Sequence, residues 1–186
     1  MKRILSTVIA ATFSLALFAQ DNTAILNKIK EKAPSTISSG FTETRSSVSA
    51  PKDCKTLTGK LEFKTPEFLS MEYDNGELFK IDGNRMNILR GEKSLSFDLA
   101  KNKPMKNLSH LLIYAFRGMV QELVDEQDTT LLISSDNGEY VITLAAKVQA
   151  VKGYSIATFR YDSATGRIKS MYLVEFNGKS TGYELK

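Results

Sequence analysis

Apolar and polar residues alternate with period two through most of the first hundred residues, a pattern that predicts strands. A short helix is expected first, over residues 21–32. Asp21 or Asn22 can cap it, and Ile25, Leu26 and Ile29 share one face before Pro34 and Ser35 end it. Thr36 to Val48, rich in Ser and Thr, reads as one strand around Phe41. Lys55 to Lys64 puts Leu57, Gly59, Leu61 and Phe63 on one face, and Thr65-Pro66 breaks it. Phe68 to Tyr73, Leu78 to Ile81, Arg85 to Leu89 and Ser94 to Leu99 follow. Asp74-Asn75-Gly76, Asp82-Gly83-Asn84 and Gly91-Glu92 mark the turns between them.

The period then changes. From Lys106 to about Val124, Leu108, Leu111, Leu112, Ala115, Phe116, Met119 and Leu123 recur at steps of three and four, as on an amphipathic helix. Pro104 stands just ahead of it, Asn107 or Ser109 is the expected cap, and Gly118 is where it ends or kinks. Strands resume at Thr129 to Ser134, Tyr140 to Ala146, Tyr154 to Tyr161, Ile168 to Phe176, and a last one ending at Leu185. About ten antiparallel strands and two helices predict a mainly β (α+β) fold. A sheet that long must curl into an incomplete antiparallel β-barrel, with the helices covering its apolar concave face. The apolar face of so many strands exceeds what two modest helices cover, which is compatible with a ligand cavity.

Residues 1–19 stand apart. Lys2 and Arg3 precede an apolar run from Ile4 to Phe18, and polarity begins after Ala19. This reads as an export signal, too short for a membrane span of ~20 residues, with Leu17 where a small residue is usual. No cysteine follows the run for lipid attachment. Residues 20–186 are expected to form one domain, soluble in an extracytoplasmic space after cleavage. Cys54 is the sole cysteine, so no internal disulfide can form, and a free thiol is tolerable there if buried or in a strand.

Composition adds exclusions. The 186 residues are 42% hydrophobic and 25% charged, ordinary values for a globular chain. The net charge of +4 is spread along the chain without a basic stripe, so no nucleic-acid partner is expected. His110 is the only histidine, and neither an orienting carboxylate nor a nucleophile is suggested near it. One histidine and one cysteine do not make a transition-metal site, and the Asp-Asn-Gly segments lack the spacing of a calcium loop. Glu62, Glu67, Glu72 and Glu77 are scattered, with Glu62 and Glu72 pointing to solvent. No catalytic residue, cofactor or metal is expected, and the chain reads as a binder, not an enzyme.

Several segments together resemble the LolA family of periplasmic lipoprotein carriers. They are Gly59 to Pro66 followed by Phe68 to Tyr73, Ile81 to Met86, Tyr140 to Lys147, and the closing Glu175 to Leu185 with Asn177-Gly178 and Ser180-Thr181-Gly182-Tyr183. The resemblance spans most of the chain after residue 19. It implies an incomplete barrel closed by helices over an apolar cavity that receives acyl chains, against residues such as Leu69 and Met71. Leu61, Phe63, Tyr73, Phe79, Leu95, Phe97, Ile142 and Leu144 are the other expected wall positions. Leu111, Leu112 and Phe116 of the helix would fill the space when it is empty.

The resemblance also implies that Thr65-Pro66 is the corner contacting the helical lid. Thr65 stands where the family has an arginine, and Met71 where it has a tryptophan. A hydroxyl does not reproduce a five-donor guanidinium, so the family's gating is not transferred. The implied partners are acylated lipoproteins, an inner-membrane ATP-driven (ABC-type) release complex and an outer-membrane acceptor, served by a monomer. A lipid-binding or lipoprotein-sensing module of the same fold is the alternative.

Overall fold

The computed structural model of this chain describes residues 22–47, 49–50, 53–148 and 153–186. The expected export signal, Asp21 and Val48 lie outside them. Helix α1 covers residues 22–32. Six strands follow: β1 (Thr36–Ser47), β2 (Lys55–Lys64), β3 (Phe68–Tyr73), β4 (Leu78–Asp82), β5 (Arg85–Arg90) and β6 (Lys93–Asp98). Two helices come next, α2 (Lys103–Phe116) and α3 (Val120–Gln127). The chain closes with β7 (Thr129–Asp136), β8 (Glu139–Ala146), β9 (Tyr154–Asp162), β10 (Ile168–Glu175) and β11 (Lys179–Leu185).

All eleven strands form one antiparallel sheet in the order β6-β5-β4-β3-β2-β1-β11-β10-β9-β8-β7. Each half is a meander of hairpins, and the halves join where β1 pairs with β11, Phe41 opposite Leu185 through Ser47 opposite Lys179. The sheet is open: β6 and β7 are its two edges. In sequence those edges are joined through α2 and α3, so the helices cross from one edge to the other. Hairpin chemistry sets much of the register. Asn137 and Gly138 both take positive φ, 48° and 80°, as a two-residue turn matched to strand twist demands.

The expected long helix is two. Gly118 adopts φ 65°, a left-handed conformation that ends α2. The cap is not Asn107 or Ser109: α2 starts earlier, with Asn102 accepting from the Met105 amide at 3.2 Å and Pro104 in the first turn. Cys54 is exposed and precedes β2, so it is neither buried nor in a strand as the sequence reading required.

The sheet turns one face toward the helices, except at the edge strand β6, where no side chain is buried. The buried side chains of that face include Phe41, Leu61, Phe63, Leu69, Met71, Ile81, Met86, Ile142, Phe159 and Met171. The first helix is seated by two glycines. A Cβ on Gly118 would meet Ile29 Cγ2 at 2.9 Å, and one on Gly166 would meet Lys32 Cβ at 2.7 Å. Ile29 is fully buried there, and Lys30 pairs with Glu122 of α3. α1 thus locks the α2–α3 joint against the β9–β10 turn.

Candidate ligand-binding cavity

α2 presents Leu111, Leu112, Ala115 and Phe116 to the concave face, all buried. Side chains make its contact with the sheet. Phe116 stacks on Phe63 of β2 with ring centroids 5.2 Å apart. A cavity of about 320 Å³ lies beside the helix, where Phe79, Ile88, Leu112 and Leu173 share the wall with a larger polar and charged part that includes Glu43, Arg45 and Glu77. A second, of about 480 Å³, opens beneath the first turns of α2 beside Val148 and Phe176. Leu108 and Tyr154 line both.

The expected wall positions fall as follows. Leu61, Phe63, Leu69, Met71, Tyr73, Ile142 and Leu144 are buried on the inward face. Phe79 is half-buried opposite Met71, and Phe97 half-buried opposite Met86. Leu95 shares their face by register but sits on the edge strand β6, 52% exposed. Thr65 and Pro66 are exposed at the β2–β3 corner, where the Thr65 amide donates to the Ser35 carbonyl at 2.9 Å.

The hydroxyl that reaches α2 belongs to Tyr161 of β9. It donates to the Ala115 carbonyl at 2.8 Å from a fully buried position, and burial pushes its phenol well above the ordinary tyrosine range. On the outer side, His110 Nδ1 lies 2.8 Å from Glu126 Oε2, and Tyr114 donates to Glu126 Oε1 at 3.2 Å. The orienting carboxylate that the sequence did not suggest is therefore present, supplied by α3. This exposed group ties α2 to α3.

The sequence reading passed over a polar cluster inside the sheet. Phe41, Glu43 and Arg45 alternate on β1 and so share its inward face. Glu43 is 1% exposed. Arg45 Nε donates to Glu43 Oε1, and the Tyr73 hydroxyl donates to Glu43 Oε2. Gly59 makes this possible. Its missing Cβ would sit 2.8 Å from the Phe41 ring and 2.9 Å from Tyr73 Cα, and the two rings meet edge to face at 5.0 Å. Arg45 Nη2 lies 3.5 Å and Arg90 Nε 3.7 Å from Glu77 Oε2, which is buried without a hydrogen bond. Tyr183 stands directly opposite Glu43 on β11. Burial, then the nearby Glu175 and Glu43 carboxylates, push the Tyr154 phenol up to about 12; burial likewise raises Tyr183. The signal was available: a charge at every second position after Phe41 must face the same way as Phe41.

No protein-family model matches the chain, and no curated protein matches it at a significant level. In fold it is similar to solved structures from the LolA superfamily and related lipoproteins. A LolA superfamily protein from Nitrosomonas europaea is 10% identical, with 88% of this chain and 90% of that one covered and a TM-score of 0.39. For a putative outer membrane lipoprotein-sorting protein domain from Vibrio parahaemolyticus the figures are 12%, 88%, 89% and 0.46. For the lipoprotein LppX of Mycobacterium tuberculosis they are 10%, 88%, 94% and 0.42. Likeness at this level says nothing of what this chain binds. No helix among the described residues is long and apolar enough to cross a membrane.

Proposed function

We propose that this protein is a periplasmic carrier that shelters the acyl chains of lipoproteins between its sheet and α2 on their way from the inner to the outer membrane. One observation carries the reading. The apolar inward face is covered by helix side chains, Leu111, Leu112 and Phe116 of α2 foremost, and cavities of about 320 and 480 Å³ lie beside that helix. Leu111, Leu112 and Phe116 hold the space that hydrocarbon would take. Withdrawing three such side chains costs about 5–9 kcal/mol, at about 1.5–3 each. Burying one acyl chain of ~14 methylenes returns nominally ~11 kcal/mol. The exchange favours binding by a margin small enough for release. No covalent chemistry is needed.

The sequence resemblance supports the same reading and adds the route: loading from an ATP-driven release complex and delivery to an outer-membrane acceptor. Residues 20–186 act as one unit in this proposal, with Leu61, Phe63, Leu69 and Met71 as the floor. Native mass spectrometry of protein purified from its own cell envelope tests it. Wild type should carry acylated lipoprotein, and a folded Leu69→Glu variant should be empty. A folded wild type that is empty, and that also fails to bind added diacylated lipopeptide, refutes the proposal.

A further inference from the structure

The Glu43–Arg45 pair is costly where it lies. Glu43 is buried, while Arg45 keeps a quarter of its side chain exposed. Taking the carboxylate out of water incurs a desolvation penalty that its partner repays only in part, and apolar side chains of similar size would serve packing as well or better. Stability therefore does not explain it. The pair also leaves bonding capacity over. Glu43 is occupied by Arg45 and Tyr73, but Arg45 offers five N–H donors, donates through Nε to Glu43 and faces Glu77 through Nη2, which leaves donors over. The Tyr154 and Tyr183 hydroxyls line the 320 Å³ cavity with no hydrogen-bond partner among the described residues. Burial raises both phenols, with smaller contributions from Glu43, so they stay protonated and remain donors.

We infer that this cluster is a seat for the neutral ester and amide carbonyls of an acylated ligand, with Arg45, Tyr154 and Tyr183 donating to them. The inference rests on the acyl-binding reading and says where the polar end of the ligand goes. Two features select a neutral acceptor. The cavity's charges balance, with Glu43, Glu77 and Glu175 against Arg45, Arg90 and Lys179, so a free carboxylate or ammonium gains little. Arg45, Tyr154 and Tyr183 bring donors to this cavity, and its one buried acceptor without a hydrogen bond among the described residues, Glu77 Oε2, already faces the Arg45 and Arg90 guanidiniums. Leu112 and Leu173 wall the same cavity, and Leu108 and Tyr154 connect it to the space under α2, where tails can lie.

The test compares a synthetic peptide bearing dipalmitoyl-glyceryl cysteine with its dihexadecyl-ether counterpart, which keeps the hydrocarbon but lacks the carbonyls. Wild type should bind the ester about tenfold or more tightly than the ether, as two or more neutral hydrogen bonds imply. Tyr154→Phe/Tyr183→Phe removes two hydroxyls and no bulk. It should bring ester binding down to the ether value and leave ether binding unchanged. Glu43→Gln, which frees Arg45, serves as the second variant and should shift only the ester. Equal binding of ester and ether by wild type overturns the seat and leaves the carrier reading intact. Tighter binding of palmitate than of the ester overturns it in favour of an anion site. Failure of both peptides to bind refutes seat and carrier together.

Discussion

Tyr161 reaches from β9 across the interior to a carbonyl in the last turn of α2, and its hydroxyl is the polar contact that the concave face offers that helix. The Gly118 amide also donates to Ala115, at 3.2 Å, so removing the hydroxyl does not orphan the carbonyl. Tyr161→Phe should therefore cost only about 1 kcal/mol of stability, read from the urea midpoint. It should speed uptake of a fluorescent fatty-acyl probe several-fold in stopped flow. Slowed or unchanged uptake would place the hydroxyl outside the lid. Residues of this kind show how legibility varies. Leu69, Met71 and Phe63 were readable because alternation alone assigns them to the buried face. Tyr161 looked like any inward strand residue, since its partner is 46 positions away. Glu43 and Arg45 were readable by parity, but a Ser- and Thr-rich strand disguised a face that carries charge inward.

At the scale of elements, strands were legible nearly to the residue. Alternation sets where each lies, and Asn-Gly or Asp-Gly turns set where it stops. The helical stretch was less so, because three- and four-residue steps continue across Gly118 although its backbone is left-handed. Nothing local announced that α1 docks on that joint. Its seat depends on glycines 118 and 166, far apart in sequence, and on Lys30 with Glu122. Burial works to raise the Glu122 carboxyl, but the Lys30 ammonium and the residue's own backbone amide hold it below the ordinary value. A depressed carboxyl stabilises the fold above the unfolded carboxylate range, near ~4.3, and that contribution is lost as pH falls through the folded value. Wild-type stability should thus decline more steeply than that of Glu122→Gln between about pH 5 and 3, with the two curves converging at the acid end. Parallel curves in acid denaturation would mean the ion pair does not hold α1.

For the whole molecule, an open eleven-stranded sheet leaves an interior that its own side chains fill only with help from the helices, α2 above all. Phe116→Ala should cost about 3–5 kcal/mol, as removal of a fully buried ring does. Unlike an ordinary core lesion, it should be repaired by ligand. Diacylated lipopeptide should raise the variant's thermal midpoint by more than it raises that of wild type. An equal rise in both would show that the vacated ring space is not where chains settle.

The path of the chain from β6 to β7 carries a mechanical consequence. Only residues 99–102 separate β6 from α2, and only Asp128 separates α3 from β7. The cover is a strap sewn at both hems of the sheet, with almost no slack at either stitch. With so little slack, how far it lifts is tied to how far apart the hems stand. Prying the two free borders apart should drag the strap taut and expel whatever it had pressed against the floor.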